Sequence, residues 1–153
     1  MFDGMELTML NLPAYDCEIT ENEGKKFIFD TIRRKDIVLT PEEWVRQHFI
    51  HLLINELGFA KGLIKIESGM LYHQLNKRTD ILVYDKAAKP YLLIECKAPK
   101  VPLNKKVISQ ATVYNKILKA PFIAITNGLK TFCFEVDFET GTSTQMKAFP
   151  ERP

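Results

Sequence analysis

The fold is decided between residues 79 and 97, which read TDILVYDKAAKPYLLIECK. Two short apolar runs flank a polar segment, and this arrangement predicts neighbouring strands from Thr79 to Tyr84 and from Tyr91 to Lys97. Each run is apolar at consecutive positions, which is typical of strands covered on both faces. We therefore expect these two strands to lie at the centre of a covered sheet.

An antiparallel register of these strands brings two acids together. With Tyr84 opposite Tyr91, Asp80 lies opposite Glu95, and directly opposed residues have Cβ atoms about 5 Å apart on one face. Side chains alternate along a strand, so Lys97 is expected on the face of Glu95. Two carboxylates at this distance repel each other, and a bound cation removes the repulsion. Because hard ions such as Mg²⁺ prefer carboxylate oxygen, the pattern predicts a metal site beside a lysine.

The residue types assign roles within this site. Asp80 and Glu95 are the expected metal ligands, and the backbone carbonyl of Cys96 is a candidate third ligand. Lys97 is expected to hold or help deprotonate a metal-activated water and to stabilise negative charge in the transition state. In the competing interpretation, Asp80 only begins a strand and Glu95 pairs with Lys97 at an edge. Charges that end a buried strand are costly without a partner, which favours the functional interpretation.

Two helices accompany the strands. Thr40 is a candidate N-cap, Pro41 suits the first helical position, and Glu43 stands where a capping box places its acid. Glu43 has a second interpretation, as a third carboxylate at the metal site. His48 and His51 are expected to be surface or packing residues of this helix, which Gly58 ends.

The second helix is predicted from Asn104 to Lys119. Gln110 and Tyr114 are four residues apart and project from one face. Gln110 is a candidate to orient the water or Lys97, and Tyr114 a candidate to hold a backbone phosphate. Such a pair also occurs as a surface Gln and a core Tyr. Further strands are expected at Lys26–Ile32, Leu63–Glu67, Phe122–Thr126, Thr131–Val136 and Thr144–Phe149.

The order helix, three strands, helix, strands predicts an α/β fold with a central mixed sheet and helices on both faces. The chain has 153 residues, of which 46% are apolar and 26% charged, as in an ordinary globular domain. We expect residues 1–25 to form an N-terminal arm or added edge and residues 26–150 a single domain. Its acidic N-terminus, three scattered cysteines and lack of a long apolar run favour a cytoplasmic protein with no membrane partner.

The net charge is only +2, but the basic residues are clustered. Locally basic surface beside a metal-binding pair suits a phosphate-rich ligand, although a solvated surface explains each cluster equally well by itself. One cluster is Arg33, Arg34 and Lys35, and the other is Lys97, Lys100, Lys105 and Lys106.

Taken in order, these segments resemble the PD-(D/E)XK nuclease superfamily, and more narrowly the N-terminal nuclease domain of type I restriction-enzyme R subunits. The resemblance covers roughly residues 27 to 136 and implies a restriction-endonuclease-like core. It is carried by Thr-Pro-Glu-Glu-Trp-Val-Arg-Gln at 40–47, Arg78-Thr79-Asp80, Ile94-Glu95-Cys96-Lys97-Ala98-Pro99, the Gln110 and Tyr114 pair, and Thr126-Asn127-Gly128.

The resemblance implies Mg²⁺-dependent DNA phosphodiester hydrolysis, with Mn²⁺ able to substitute, in restriction or DNA processing. It implies metal ligands at Asp80 and Glu95, the catalytic lysine at Lys97, support from Gln110 and Tyr114, and an additional acid at Glu43. DNA contacts are then expected at Tyr114, Arg33, Arg34, Lys100, Lys105 and Lys106.

In one respect the sequence departs from the large R subunits, because its 153 residues contain no phosphate-binding loop of an ATP-driven motor. We therefore expect a nuclease domain without translocation. It would act as a homodimer or with a separate motor or specificity partner. A non-catalytic nucleic-acid-binding or assembly module on the same fold is the alternative, and RNA or branched DNA are alternative substrates.

Overall fold

The computed structural model describes residues 7–67 and 80–153, with the side chains of Glu67 and Asp80 outside that description. In this part the chain forms a six-stranded sheet, a three-stranded sheet and two α-helices, which confirms the predicted α/β class. The predicted strand residue Thr79, and Arg78 of the resemblance, lie outside the described residues. Within the described part, no helix is long and apolar enough to cross a membrane.

The larger sheet is mixed, as predicted. Its order is β4-β5-β6-β7-β8-β9, and all neighbours are antiparallel except β6 and β7. Parallel neighbours need a crossover connection, which the second helix provides. The strands are β4 (Ile64–Glu67), β5 (Asp80–Tyr84), β6 (Pro90–Cys96), β7 (Phe122–Thr126), β8 (Thr131–Asp137) and β9 (Thr142–Met146).

The hairpin of β5 and β6 has the predicted register along most of its length. Ile81 pairs with Ile94, and Val83 pairs with Leu92. Continued by one residue, this register sets Asp80 level with Glu95, as the sequence predicts.

The register changes at the closed end of the hairpin. A bulge between Val83 and Tyr84 pairs Tyr84 with Pro90, so the predicted pairing of Tyr84 with Tyr91 is wrong. The Asp85 carboxylate accepts hydrogen bonds from the N–H groups of Ala87 and Lys89, at 2.8 and 3.0 Å. These hydrogen bonds fix the turn. The bulge accommodates Tyr91, which has no residue directly opposite it on β5.

The helices cover opposite faces of the sheet, as predicted. Helix α1 (Pro41–His51) packs Val45 and Phe49 against a core that includes Ile81, Ile94 and Cys96. Helix α2 (Lys105–Leu118) covers the other face, where two smaller core clusters lie. These clusters contain Leu82, Leu93, Tyr114 and Ala120, and Ala111, Ile123 and Ile125.

Helix α1 begins at its predicted cap, Thr40, whereas Asn104, which was predicted as the first residue of the second helix, caps α2. The Thr40 hydroxyl accepts the N–H of Glu43 at 3.0 Å, and the Asn104 side chain accepts the N–H of Val107 at 3.1 Å. After His51, helix α1 continues as a π-helix over Leu52–Glu56. The chain then turns at Gly58, whose φ of 71° is one that glycine adopts without strain.

The smaller sheet has the order β1-β2-β3 and places the β2–β3 turn beside helix α1. Strand β2 ends at Asp30 rather than the predicted Ile32, because the Asp30 carboxylate accepts the N–H groups of Ile32 and Arg33 and starts a turn. The predicted boundary after residue 25 falls one residue inside β2, and the division into an arm and a domain stays a prediction. The strands are β1 (Ile19–Asn22), β2 (Lys25–Asp30) and β3 (Lys35–Val38). No strand was predicted at β3, and at β1 only an arm or added edge was expected.

Candidate active site

Glu95 and Lys97 meet at the end of β6. Glu95 Oε1 lies 3.4 Å from Lys97 Nζ, and the side chains are 3% and 27% exposed. Leu93, two residues earlier, belongs to the core under α2, whereas Cys96 belongs to the core under α1. The alternation is therefore as predicted, with the acid and the lysine on one face and Cys96 on the other. A buried carboxylate needs a nearby positive charge, and Lys97 supplies one.

Asp80 begins β5, in line with Glu95 across the strands. Its side chain lies outside the described part, so its role as a ligand stays a prediction. On its other side Asp80 pairs with Glu67 of β4. The register thus sets three acidic positions in one row, and Glu67 is the one that the sequence reasoning missed. Only the antiparallel register of β4 with β5 shows that Glu67 lies beside Asp80.

The donor set at this row suits a hard divalent cation. Carboxylates at Asp80 and Glu95 and the Cys96 carbonyl would offer only oxygen ligands, as Mg²⁺ prefers. In the described part, no group of three or more His, Cys, Asp or Glu side chains is arranged to hold a metal, and the side chains of Glu67 and Asp80 lie outside that part. The ligand roles remain predictions.

Helix α2 places its two candidate residues differently. Gln110 is exposed, and no hydrogen bond among the described residues joins it to Glu95 or Lys97. Tyr114 is 2% exposed and packs with the core under α2. These positions match the alternative of a surface Gln and a core Tyr, and the roles of both residues at the site stay predictions.

Glu43 belongs to a buried polar cluster at the start of α1. Its carboxylate accepts hydrogen bonds from Arg33 at 3.1 Å, Arg46 at 2.6 Å and Gln47 at 2.8 Å. In the described part the Thr40 N–H does not donate a hydrogen bond to this carboxylate. The capping box is therefore half formed, with only the bond from the Glu43 N–H to the Thr40 hydroxyl present. Helix α1 covers the sheet face opposite to Glu95, and the role of Glu43 as an additional acid stays a prediction.

Asp30 is the most enclosed acid of this cluster, with no exposed surface. Arg33 Nε and Gln47 Nε2 donate to its Oδ2 at 2.7 and 2.9 Å. Burial raises the pKa of the Asp30 carboxyl, but hydrogen bonds from the Arg33 backbone, Gln47 and the Arg33 guanidinium outweigh it and hold the pKa below its ordinary value. Sequence reasoning missed Asp30 and Gln47, although Gln47 follows Glu43 by one helical turn.

The predicted DNA-binding residues differ in accessibility. The Arg33 side chain is 25% exposed and engaged by Asp30 and Glu43. Arg34 is exposed beside it, in a left-handed conformation with φ of 58°. Lys100, Lys105 and Lys106 are all exposed, between the end of β6 and the first turn of α2. Their contacts with DNA stay predictions, and the three lysines are the more available set.

The two histidines of α1 pack against aromatic rings, as predicted. Tyr15 stacks on His51 with ring centroids 3.8 Å apart, and Trp44 contacts the edge of His48 at 4.3 Å. Burial lowers the pKa of both imidazoles, and for His48 it outweighs the hydrogen bond with the Trp44 carbonyl, which raises it. Both rings therefore favour the neutral form.

The turn after β7 is closed by its own side chains. Asn127 Oδ1 accepts the N–H groups of Leu129 and Lys130, at 3.0 and 2.9 Å. Gly128 has φ of 83°, and a Cβ there would lie 2.7 Å from Leu10 Cδ2 and 3.1 Å from Val45 Cγ2. Only glycine fits this close approach without a shift.

Comparison with known proteins gives one family. The family model for the type I restriction enzyme R protein N terminus matches residues 41–150. The matched part runs from the first residue of α1 to beyond β9 and includes Asp80, Glu95 and Lys97. No curated protein matches the chain.

Proposed function

Since the chain belongs to the family of type I restriction enzyme R protein N termini, we propose that it is a Mg²⁺-dependent DNA endonuclease. A restriction-related function follows from the family, and phosphodiester hydrolysis is the proposed activity. One observation supports it above the others. A buried glutamate lies 3.4 Å from a partly exposed lysine, at the strand position level with Asp80.

In this proposal Asp80, Glu95 and the Cys96 carbonyl would hold the cation. When bound, Mg²⁺ would supply positive charge for the scissile phosphate and lower the pKa of water at the site. The fit rests on Glu95, whose carboxylate is buried at the end of a central strand rather than solvated.

Lys97 would act on the scissile phosphate. Its side chain is 27% exposed and so accessible to a ligand, while Glu95 limits its positions. It would donate hydrogen bonds to a nonbridging phosphate oxygen as negative charge develops, in a setting where such a contact is stronger than in water. The backbone below it is fixed, because the Lys97 N–H donates to the Thr126 carbonyl at 2.8 Å.

The exposed lysines Lys100, Lys105 and Lys106 would contact neighbouring phosphates. Phosphate contacts position a protein on nucleic acid without reading its sequence. Target choice would then come from partner subunits of the restriction system, or from a second copy of this chain.

Plasmid nicking tests the proposal. Supercoiled DNA is incubated with Mg²⁺ or Mn²⁺ and the wild type, Lys97→Ala or Lys89→Ala, an exposed lysine in the β5–β6 turn that serves as the matched control. Loss of the Lys97 donor should lower the nicking rate by roughly 10²–10³-fold, the usual effect of removing one transition-state donor. DNA affinity should remain, and Lys89→Ala should behave as wild type.

The outcomes separate the alternatives. Equal metal-dependent nicking by wild type and Lys97→Ala would contradict the assigned role of the lysine. If no variant cuts but all bind DNA without metal, the chain is a binding module. Titration of Mn²⁺ by calorimetry adds an independent readout, since Glu95→Gln should abolish the binding isotherm that the wild type shows.

A further inference from the structure

An N-terminal strap, residues 8–12, reaches the end of the sheet where Glu95 and Lys97 lie, from outside the family-matched residues 41–150. The Asn11 N–H donates to the Gly128 carbonyl at 2.8 Å, and Asn11 Nδ2 donates to the Leu129 carbonyl at 2.9 Å. At the start of the strap, Trp44 Nε1 donates to the Thr8 carbonyl at 2.9 Å. The strap is therefore tied both to α1 and to the β7–β8 turn.

The β7–β8 turn is held rigid by hydrogen bonds within it, so its residues move together. The Thr126 hydroxyl accepts the Gly128 N–H at 3.0 Å, and Asn127 Oδ1 accepts the next two N–H groups. The Leu10 side chain fills the space beside Gly128. A shift of the strap therefore moves the turn as a unit.

The same turn holds the backbone of Lys97. The Thr126 carbonyl accepts the Lys97 N–H at 2.8 Å, and Asn127 Nδ2 donates to the Val101 carbonyl at 2.8 Å. The turn thus fixes both ends of the segment 97–101. This segment begins with the lysine whose ammonium lies 3.4 Å from Glu95.

We propose that Asn11 is a positioning residue for Lys97 and acts through the β7–β8 turn. Displacements of about 1 Å in a catalytic group are enough to reduce rates by orders of magnitude, so a brace on the strand end affects turnover. The catalytic part of this inference rests on the proposed nuclease function. The positional part does not, and it can be measured without substrate.

The test compares Asn11→Asp with Asn11→Ala. Asp keeps the shape and the backbone N–H but lacks the side-chain donor to the Leu129 carbonyl. Asn22→Asp, in the β1–β2 hairpin, is the matched control. Amide hydrogen exchange is followed by NMR at Lys97, Leu129 and the reference strand residue Leu82, and nicking kinetics are measured on the same proteins.

Both Asn11 variants should speed exchange at Lys97 and Leu129 about fivefold, as expected for one lost hydrogen bond, with Leu82 and the control unchanged. Nicking should show a lower kcat and a smaller change in KM for DNA, because Lys105 and Lys106 lie on α2, outside the segment that the turn holds. Unchanged exchange at Lys97, or an equal rise at Leu82, would overturn the positioning role. Faster exchange at Lys97 in a protein that never nicks DNA would support the positioning role and refute the nuclease proposal.

Discussion

Replacement of Asp30 by Asn probes the buried polar cluster beside α1. The two side chains have the same shape, so the Asn oxygen can keep the hydrogen bonds from the N–H groups of Ile32 and Arg33, both 2.8 Å in the wild type. The amide group then replaces Oδ2 and faces two donors, Arg33 Nε at 2.7 Å and Gln47 Nε2 at 2.9 Å. Rotation of the Gln47 amide repairs one contact but removes its donation to Glu43.

The expected loss follows from this geometry. Hydrogen bonds to charged groups contribute about 1.5–3 kcal/mol each, so two of them give a destabilisation of about 3 kcal/mol or more. For a chain of this size that corresponds to a fall of roughly 10 °C in the melting temperature. Urea denaturation measures the free energy of unfolding, and an unchanged m-value would show that the unfolded state is not altered.

The pH dependence gives a second readout. Because the pKa of Asp30 is lower in the folded protein, the ionised carboxylate stabilises the folded state at pH values above the unfolded-state pKa of about 3.9. This stabilisation is lost as pH falls through the folded-state pKa. The gap in unfolding free energy between wild type and Asp30→Asn should therefore narrow below about pH 4, where the carboxyl of the unfolded wild type is protonated, until at lower pH that of the folded protein is protonated too.

Asp137→Asn is the matched control for this prediction. Asp137 Oδ1 accepts the N–H groups of Glu139 and Thr140 in the exposed β8–β9 turn, much as Asp30 does in its turn. Its replacement should change the unfolding free energy by no more than about 0.5 kcal/mol. A loss in Asp30→Asn no larger than that of the control, or a gap that stays constant from neutral to acid pH, would refute the reasoning.

Four further substitutions test other contacts. Glu43→Gln should destabilise by about 2 kcal/mol because its carboxylate accepts from both Arg33 and Arg46; an unchanged melting temperature with abolished nicking would instead identify a site acid. Arg34→Ala should weaken DNA binding and reduce its salt dependence by about one phosphate contact, whereas Arg33→Ala should chiefly lower the melting temperature. Filter binding at several salt concentrations measures both effects on DNA affinity, and a larger loss of affinity in Arg33→Ala would contradict this prediction. Gly128→Ala should cost about 1–3 kcal/mol in urea unfolding, since the new Cβ meets Leu10 in a left-handed backbone, and a loss below 0.5 kcal/mol would show that the approach is not tight.

The central elements could be predicted because their signals are local. Thr40 marks the start of α1 with its own side chain and accepts the N–H of Glu43, as a cap does, and Asn104 stands at the predicted start of α2. Alternation alone put Glu95 and Lys97 on one face, and the apolar runs alone identified the covered strands. Tyr84 shows the limit of such reasoning, since its partner depends on how the Asp85 turn closes.

The polar cluster and the strap could not be predicted because their contacts join distant residues. Asp30 and Gln47 are 17 positions apart, and Asn11 and Leu129 are 118 apart. Neither separation corresponds to a helical or strand repeat, so no pattern in the sequence indicates that these residues are in contact. The side chains involved are also common surface residues, so their burial or docking is decided by the assembled fold.

The parallel pairing of β6 with β7 has a consequence for folding. The β5–β6, β7–β8 and β8–β9 pairs are antiparallel neighbours joined by short turns, whereas β6 and β7 meet only after α2 has formed the crossover. Pairings distant along the chain pay a larger loop-closure entropy and tend to form late. The Lys97 N–H bond to Thr126 belongs to this junction. We therefore expect a nascent or partly folded chain to lack the assembled sheet end that holds Glu95 and Lys97, so that the proposed cleavage activity would await completion of the domain.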